Sequence, residues 1–550
     1  MSDQTAEAEA PAAVGAAQTQ PAVRGLRVET IAEGATEVLA PMRDGVKLAG
    51  NLYLPAGEGP FPAIVTRTPY GKDQMELFSD IRASRKYTRA GYAYLVQDTR
   101  GKGRSEGHYG GFTDDGKDGY DTIEWMARQD WCNGRIGITG ASAMGITTNM
   151  AAIANPPHLV CAFVIVAGND TAFVGGAHKA RDMGDWNRGQ GVAEERIRSS
   201  AASYVRTALS VTGDVALNAH FITIPMYNYG GWYDLFSVGN VRNFQNLQNH
   251  GSKGARGNQK LEMGPFGHGE IAGDLAYPNG SQLLGGKTDE IRWFDHWLKG
   301  EENGIMEEPP VRVYMMASAR KGALSPKNRW MRFANWPPAP QTIAYHLRAD
   351  GGLSRKAPAE ASASLAYDFD PTNPVPTYGG SNLTFDKGPM DQRPIGERSD
   401  YLRFQTPVLE QDVVIAGPVS MDLWASTDGP DTDFMVKLVD VYPDGYEAIV
   451  LDSALRTRYR HGRNRDDVQM MTPGAPEKLT LDLWDTALTF EAGHRIAVHV
   501  TSSNSPRFDI NPNTGELPAR GVETRVARNT IYFDASHPSA INLPVIYPEG

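Results

Sequence analysis

The sequence predicts an α/β fold followed by an all-β domain, because the hydrophobic pattern changes character along its 550 residues. Between about residues 60 and 300, short apolar runs alternate with segments of helical spacing, which is typical of βαβ units and a mostly parallel sheet. After about residue 320 the helical spacing nearly disappears. Short alternating runs then follow one another between turn clusters such as Pro443-Asp444-Gly445, which predicts an antiparallel sandwich or jelly roll.

Composition excludes several classes of protein. Acidic side chains outnumber basic ones by 65 to 54, and the net charge of −11 argues against a nucleic-acid surface. The two cysteines, Cys132 and Cys161, are too few for a disulfide framework or a cysteine zinc site, so we expect small core residues. No run of about 18 apolar residues occurs, so no membrane partner is expected.

The chain divides into four predicted units. Residues 1–26 are rich in Ala, Gln, Glu and Pro and have neither a basic nor an apolar stretch, so we expect a disordered tail, no signal peptide and a cytoplasmic protein. Residues 167–218 are polar, contain no strand-like run and include a predicted helix at 193–209, which suggests a helical cap. The units are a tail at 1–26, an α/β domain at 27–166 and 219–320, the cap at 167–218, and a β domain at 321–550.

The elements of the α/β domain follow from local pattern. Alternation on both sides of Asp44-Gly45 predicts a β-hairpin over 36–54. Apolar runs predict the later strands at 63–65, 92–97, 136–139, 159–166, 221–229 and 260–263. Helical spacing predicts helices at 81–90, 118–128 and 288–299, the last capped by Thr288 and ended by Gly300.

In the β domain, alternation of apolar and polar residues predicts a series of short strands. They lie at 342–347, 413–415, 419–424, 434–441, 449–454, 478–483, 495–501 and 530–533.

One stretch, residues 136–145, joins a strand to a helix through a serine. It reads Ile-Gly-Ile-Thr-Gly-Ala-Ser-Ala-Met-Gly, and the small residues around Ser142 allow a sharp turn that exposes the hydroxyl. A helix N-terminus behind the serine favours developing negative charge. The spacing is G-x-S-x-x-G and departs from the G-x-S-x-G of a nucleophile elbow. The alternative is a serine that merely caps an ordinary helix.

A serine nucleophile requires a base to take its proton and an acid to orient that base. Two later strands end in suitable residues: the strand at 221–229 leads to Asp234, and the strand at 260–263 leads to His268. The order Ser, Asp, His, each after a strand, is the order of a hydrolase built on a parallel sheet.

Further motifs make the resemblance to a family specific. The ordered set is Arg67-Thr68-Pro69-Tyr70, Asp98-Thr99-Arg100-Gly101, Ser105-Glu106-Gly107, Trp131-Cys132-Asn133-Gly134, Gly137-Ile138-Thr139-Gly140-Ala141-Ser142, Gly231-Trp232-Tyr233-Asp234, Gly264-Pro265-Phe266-Gly267-His268, Gly417-Pro418 and Asp431-Thr432-Asp433-Phe434. Over about residues 30–535 the chain resembles the cocaine esterase/X-Pro dipeptidyl-peptidase (CocE/NonD) family of α/β-hydrolases. The family also includes α-amino acid ester hydrolases and glutaryl acylases. The resemblance implies an α/β-hydrolase domain, a helical cap and a C-terminal jelly roll of the galactose-binding-like type.

The resemblance also implies roles for individual residues. Ser142 would be the nucleophile, His268 the general base and acid, and Asp234 its orienting acid. The Tyr70 hydroxyl and the backbone N–H of Ala143 would bind the oxyanion. Many relatives carry Tyr directly after the serine; Ala143 keeps the backbone donor but would open space beside the nucleophile. The substrate would be a small-molecule ester or amide, with no cofactor and no metal, and the oligomeric state is left open, a homo-oligomer included.

Three groups of side chains have both a functional and a structural interpretation. The first group lies next to the predicted acid and base in sequence and would either contact substrate or pack in the core: Trp232, Tyr233 and Phe266. The second group follows the strand at 92–97 and would either contact substrate or form ion pairs that tie loops together: Asp98, Arg100 and Glu106. In the β domain, candidate cation ligands are Asp431, Asp433 and Asp440, for which we favour solvated or hydrogen-bonded roles.

Three functions are compatible with these observations. The leading hypothesis is a serine hydrolase that cleaves an ester or activated amide through an acyl-enzyme. The second is an X-Pro dipeptidyl-peptidase or an α-amino acid ester hydrolase/β-lactam acylase, which needs carboxylates near the serine to bind the substrate amine. Candidates for that role are Asp170, Asp182, Asp185 and Glu270. The third is a glycan-binding protein in which the jelly roll binds the ligand and the hydrolase domain is vestigial.

Overall fold

The fold is described from a computed structural model over residues 34–75, 83–168, 173–192, 214–278, 289–321 and 323–547. The strands before residue 334 are β1 Thr36–Pro41, β2 Lys47–Tyr53, β3 Phe61–Thr68, β4 Ala93–Asp98, β5 Cys132–Ala141, β6 Leu159–Ile165, β7 Phe173–Val174, β8 Ala177–His178, β9 Met226–Tyr233, β10 Lys260–Gly267, β11 Val311–Met315, β12 Ala319–Arg320, β13 Ala323–Leu324 and β14 Arg329–Phe333. The α-helices are α1 Lys72–Met75, α2 Ala83–Arg89, α3 Asp115–Ala127, α4 Ala143–Ala154, α5 Ala180–Gly189, α6 Ser237–His250 and α7 Glu290–Phe294. None of the described helices is long and apolar enough to cross a membrane.

A large sheet organises the first part of the chain. Within the described residues it has ten strands in the order β1-β2-β4-β3-β5-β6-β9-β10-β11-β14. The central strands from β4 to β11 pair in parallel, and β1, β2 and β14 add antiparallel edges. The parallel sheet predicted from alternating strands and helices is therefore confirmed.

The side chains of β6 alternate between two separate hydrophobic cores, one on each face of the sheet. Ala162 and Val164 pack with residues of α3, α4 and α6, whereas Cys161, Phe163 and Ile165 pack with residues of α2 and α7. A strand covered on both faces must be apolar at every position, which explains the continuous run that predicted it. The cysteines of the chain are buried free thiols, as predicted.

The C-terminal part of the chain is mostly β-structure. Its strands are β15 Gln341–Leu347, β16 Leu353–Ser354, β17 Ser364–Phe369, β18 Tyr401–Gln405, β19 Val413–Thr427, β20 Asp433–Val441, β21 Glu447–Arg456, β22 Glu477–Phe490, β23 Arg495–Thr501, β24 Ala527–Tyr532 and β25 Ala540–Val545. Among the described strands, seven form one antiparallel sheet around β19 and four form another in the order β18-β23-β20-β21. The predicted all-β character of this part is confirmed, and the jelly-roll connectivity stays a prediction.

The strand β19 corrects a prediction of two separate strands. It runs unbroken from Val413 to Thr427, through the Gly417 and Pro418 that lie between the predicted strands at 413–415 and 419–424. Proline is tolerated in a strand where its missing N–H is not needed by a neighbour. Here β25 pairs with Ile415 and next with Ser420, so the proline lies in a gap of that ladder.

The large sheet extends past residue 320, where the change in hydrophobic pattern had suggested a domain boundary. Strand β14 pairs antiparallel with β11 and forms the edge of the sheet. Its alternating sequence has the same period of two as the β domain that follows, so pattern alone could not assign it to the first part of the chain.

The segment predicted as a cap contains short strands that the sequence did not suggest. Strands β7 and β8 pair as a small hairpin before helix α5. The predicted helix at 193–209, the tail at 1–26 and the cap residue Thr288 lie outside the described residues. The helix predicted to end at Gly300 is confirmed as α7 followed by a π-helical turn, Asp295–Lys299, and Gly300 has a φ of 77°.

Candidate active site

Ser142 lies in a strained turn between β5 and α4. Its backbone φ is 58° and its ψ is −124°, a conformation that costs a non-glycine residue free energy. Two backbone hydrogen bonds hold it there: the Ser142 N–H donates to the Ile165 carbonyl at 3.0 Å, and the Ser142 carbonyl accepts from the Ile146 N–H at 2.9 Å. The turn lifts the hydroxyl off the end of the sheet.

The two glycines of the motif allow the backbone to approach itself closely. A Cβ on Gly140 would lie 2.5 Å from the Met144 carbonyl carbon, and one on Gly145 would lie 2.5 Å from the Ala167 Cβ. Neither position tolerates a side chain without movement of main-chain or packed atoms. Gly145 therefore allows helix α4 to pack closely against the sheet. In the G-x-S-x-x-G spacing, the second glycine still serves this close packing, one position later than in G-x-S-x-G.

Asp234 follows strand β9, Met226–Tyr233, which begins and ends later than the predicted 221–229 segment. The carboxylate is fully buried, and its Oδ1 accepts a hydrogen bond from the Phe236 N–H at 2.7 Å. Strand β10 also extends past its predicted end, to Gly267, and Gly267 pairs with Tyr233. Because parallel neighbours end at the same edge of the sheet, Asp234 and His268 lie side by side.

His268 joins the other two side chains. Its Nδ1 lies 2.7 Å from Asp234 Oδ2, and its Nε2 lies 2.9 Å from Ser142 Oγ. A carboxylate only accepts hydrogen bonds, so Nδ1 donates to it and Nε2 accepts from the serine hydroxyl. The Phe236 ring packs near the imidazole, with centroids 5.6 Å apart. This arrangement can take a proton from the serine, and the three predicted residues are brought together.

Tyr70 and Ala143 lie beside the serine. The Tyr70 hydroxyl forms a hydrogen bond with the Ser142 side chain, and burial raises the pKa of the phenol, so the phenol stays neutral. Ala143 is the first residue of α4, where backbone N–H groups have no partner within the helix. Ala143 is 2% exposed, so its side chain is covered by neighbouring atoms, and the space expected beside the nucleophile stays a prediction.

Two aromatic residues near Tyr70 were not predicted from the sequence. Trp186, on helix α5, donates its indole N–H to the Tyr70 hydroxyl oxygen at 3.1 Å. Phe112 stacks on that indole, with ring centroids 5.6 Å apart and planes 9° apart. The signal available in the sequence was a lone tryptophan within a polar helical segment.

The three aromatic residues suggested as substrate contacts lie in the core. Trp232, Tyr233 and Phe266 are each 1% exposed. Trp232 donates its indole N–H to the Tyr314 carbonyl, and Phe266 stacks on Tyr229. Since no face of these rings is open to a ligand, the packing interpretation replaces substrate contact.

The polar residues after β4 tie loops together, as the structural interpretation proposed. Asp98 accepts the backbone N–H groups of Lys72 and Arg104, and burial raises its pKa to about 6. Arg100 forms an ion pair with buried Asp118 at 2.6 Å. Glu106 accepts a backbone N–H from the first hairpin.

The aspartates of the β domain are buried and not solvated, which corrects one of the two favoured interpretations and supports the other. Asp431 pairs with Arg458 at 2.8 Å, and Asp433 pairs with Arg456 at 2.9 Å. Asp440 pairs with a buried histidine at 2.8 Å. Each carboxylate therefore has a hydrogen-bonded cationic or imidazole partner.

The carboxylates considered for binding a substrate amine lie in different environments. Asp182 is fully buried and accepts hydrogen bonds from the N–H and hydroxyl of Thr384. Asp185 is half-exposed and pairs with Arg188 at 2.8 Å. Glu270 is exposed. Asp170 lies outside the described residues.

Comparison with known proteins matches most of the chain. Residues 44–212 match the model of the X-Pro dipeptidyl-peptidase (S15 family), and residues 303–542 match the X-Pro dipeptidyl-peptidase C-terminal non-catalytic domain. Cocaine esterase of Rhodococcus sp. (strain MB1 Bresler) is 31% identical over 93% of this chain and 98% of its own length.

Two solved structures share the whole architecture. An α-amino acid ester hydrolase is 26% identical, with a TM-score of 0.79 over 96% of this chain and 100% of its own. An aminopeptidase from a marine-sediment Thaumarchaeota archaeon is 25% identical, with a TM-score of 0.77 over 94% of this chain and 97% of its own. The similarity to cocaine esterase covers nearly the full length of both chains, and the two family models match two separate stretches of this one, residues 44–212 and 303–542. The chain therefore belongs to the cocaine esterase/X-Pro dipeptidyl-peptidase family of α/β-hydrolases.

Proposed function

We propose that the chain is a serine hydrolase that cleaves a carboxylic ester, or an activated amide, through an acyl-enzyme. The observation that carries this proposal is the position of His268, which is hydrogen-bonded to Asp234 on one side and to Ser142 on the other. A nucleophile, a base within hydrogen-bond reach and an acid that orients the base are together the requirements for acyl transfer.

The reaction proceeds in two halves. Ser142 Oγ attacks the substrate carbonyl carbon while His268 Nε2 takes the hydroxyl proton, and Asp234 stabilises the imidazolium that forms. His268 then returns the proton to the leaving oxygen or nitrogen, which departs and leaves an acyl group on the serine. A water molecule repeats the sequence, giving its proton to His268, and the acid is released as Ser142 is restored.

The oxyanion that forms in each half would be bound by the Tyr70 hydroxyl and the Ala143 N–H. One donor belongs to the segment directly after β3 and the other to the first turn of α4. Pre-positioned donors of this kind contribute about 3–4 kcal/mol each to transition-state stabilisation.

An ester substrate is favoured over one recognised through a free amine. Similar proteins include a cocaine esterase, an α-amino acid ester hydrolase and an aminopeptidase, so names alone do not choose between them. Amine recognition needs carboxylates that are free to face the substrate. Asp182 is fully buried, with its Oδ1 bound to Thr384, and Asp185 already pairs with Arg188.

The deciding experiment is labelling with a fluorophosphonate probe beside hydrolysis of short-chain p-nitrophenyl esters. We expect wild type to be labelled and to turn over esters, and Ser142→Ala to do neither. Ser354→Ala, a serine of strand β16 in the β domain, serves as the matched control and should behave as wild type. A folded wild type that is not labelled would contradict the proposal and would direct attention to glycan binding by the β domain.

A second assay separates ester from amine-directed hydrolysis. We expect turnover of a p-nitrophenyl ester to exceed that of an X-Pro p-nitroanilide under the same conditions. Preferred cleavage of the anilide, dependent on Ser142, would keep the nucleophile and replace the substrate class.

A further inference from the structure

We infer that Trp186 is a positioning residue for catalysis: its indole N–H fixes the direction in which Tyr70 donates its hydroxyl proton, toward the oxyanion beside Ser142. The inference rests on the proposed function, because it concerns how the proposed oxyanion donor is oriented. This role of Trp186 requires no contact with substrate.

The direction follows from which groups can donate and which can accept. An indole N–H is only a donor, so the Tyr70 oxygen must accept from Trp186 across the 3.1 Å hydrogen bond. The phenol has a single proton, and it is then free for another partner. The Ser142 side chain is that partner in the resting site. Without the indole, the phenol could rotate and accept a hydrogen bond from water instead.

The same limits on donors and acceptors apply to the other groups of the site. Ser142 has one hydroxyl proton and donates it to His268 Nε2, so in its hydrogen bond with Tyr70 we assign the phenol as the donor; His268 Nδ1 in turn donates to Asp234 Oδ2. The chain of hydrogen bonds begins at a group that can only donate, Trp186, and ends at a carboxylate that only accepts. Both ends are therefore fixed, and every proton between them points toward Asp234.

The indole is held in place from outside the reacting groups. Phe112 stacks on it almost in parallel, with planes 9° apart. The helix that carries it is attached on two sides. Lys102 donates to the Gln190 carbonyl just past the end of α5, and Asp182 in its first turn accepts from Thr384 of the C-terminal domain. The donor is thus fixed relative to Tyr70 before substrate binds.

Burial of the phenol makes this orientation matter. Tyr70 is in a site where burial raises its pKa, so it acts as a neutral hydrogen-bond donor and not as an anion. A neutral donor stabilises an oxyanion only when its proton faces the charge. Donation from the indole also polarises the phenol O–H, which strengthens the hydrogen bond that it gives.

A double-mutant cycle between Trp186→Phe and Tyr70→Phe tests the inference. Trp186→Phe removes the N–H and keeps a ring that can stack on Phe112. We expect kcat on a p-nitrophenyl ester to fall about 10-fold with KM within roughly twofold, because only the transition state uses the oriented proton. We expect Tyr70→Phe to lower kcat about 10²-fold or more, as loss of an oxyanion donor does.

The double variant gives the decisive result. With no hydroxyl to orient, Trp186→Phe should have no further effect in the Tyr70→Phe background, and the double variant should match Tyr70→Phe within about twofold. A further drop as large as in wild type would overturn the inference and assign the indole to the substrate pocket or to the fold. Wild-type kcat in Trp186→Phe alone would also overturn it.

Two additional variants control for structural effects. Trp131→Phe removes an indole at the opposite end of strand β5, where the ring packs on Trp125, and should leave kcat unchanged. Trp186→His keeps an N–H that can donate, so it should retain more activity than Trp186→Phe; equal loss in both would count against a donor role. Labelling of Ser142 by fluorophosphonate in wild type tests the proposed function separately, so its failure is distinguishable from failure of this inference.

Discussion

Asp234 in the first domain and Asp433 in the β domain are each fully buried and each paired, yet of these two only Asp234 belongs to the proposed catalytic site. Asp433 accepts two hydrogen bonds from the Arg456 guanidinium, at 2.9 Å each. Asp234 accepts one from a backbone N–H and one from the His268 imidazole. The difference lies in the partner and not in the carboxylate.

A guanidinium keeps its protons at any pH a protein survives, so the Asp433–Arg456 pair can only hold the structure together. An imidazole gains and loses a proton near neutral pH, and its second nitrogen is free to take one from Ser142. The Arg456 side chain is fully buried, whereas 13% of the His268 side chain remains exposed. A reactive site therefore needs a partner whose proton can move and one face that substrate can reach.

The largest effect on catalysis should come from removing the imidazole that accepts the Ser142 proton. His268→Ala should lower kcat/KM on an ester by about 10⁴-fold or more, because Ser142 loses its base. The side chain is partly exposed and lies at a loop, so the melting temperature should change little. Ester turnover and thermal unfolding of the same preparation measure both; retention of substantial activity would refute the role of His268.

The β-domain pair should show the opposite behaviour. Asp433→Ala removes the bidentate partner of buried Arg456 while its contact with Asp509, at 3.0 Å, stays, and we expect the free energy of unfolding to fall by about 3 kcal/mol. Activity below the lowered melting temperature should persist. The matched control is Asp368→Ala, whose pair with Arg528 is about 60% exposed and should contribute no more than about 0.5 kcal/mol. Equal losses in urea unfolding would contradict the distinction.

A smaller, pH-dependent effect should come from Lys179, which lies between the two regions. It is fully buried, and its ammonium donates to the carbonyl directly after Asp234, at 3.1 Å. Burial, and then the charge of Arg507, lower its pKa to about 7, against the opposing effect of acidic neighbours. Those neighbours are Asp182, Asp234 and Asp452.

The sign of the Lys179 effect follows from proton binding. Between pH 7 and the unfolded value of roughly 10.4, the unfolded chain binds one more proton at this residue, so its contribution to stability rises with pH. Below pH 7 the lysine is charged in both states and the burial cost is complete. Methionine does not titrate, so Lys179→Met lacks this gain. The free energy of unfolding of wild type, minus that of Lys179→Met, should therefore rise by about 1 kcal/mol per pH unit from pH 7 to 9.

Urea unfolding of wild type and Lys179→Met at pH 6, 7, 8 and 9 measures this difference. Lys356→Met, at an exposed lysine of the β domain, should run parallel to wild type at every pH. A difference between Lys179→Met and wild type that does not change with pH would contradict titration of Lys179.

Much of the site could be predicted from local sequence. The strand, tight turn and helix around Ser142 depend on neighbouring residues, and Asp234 and His268 each follow an apolar run. Because parallel strands end at the same edge of a sheet, these three local patterns predicted that the three side chains lie close together. Strand ends were less accurate: β9 and β10 extend four residues past their predicted ends, into glycine-rich sequence that resembles a turn.

Errors arose where a local pattern has two tertiary meanings. Trp232, Tyr233 and Phe266 stand next to the proposed acid and base in sequence, yet the strand directs their side chains into the core. Aspartates at strand ends usually face water, but Asp431 and Asp433 are covered by packing and neutralised by arginines. Adjacency along the chain does not determine which side of a strand a ring or carboxylate occupies in the packed molecule.

By itself the sequence determined the parallel sheet, the β-rich second half and the three residues that meet at the end of the sheet, because hydrophobic period and turn residues act over a few positions. Tertiary structure alone decided that Trp186 reaches Tyr70, that Lys179 lies beneath the loop after Asp234, and that β14 joins the large sheet. These contacts join residues that are distant along the chain. Their free energy depends on packing and desolvation, which no local pattern encodes.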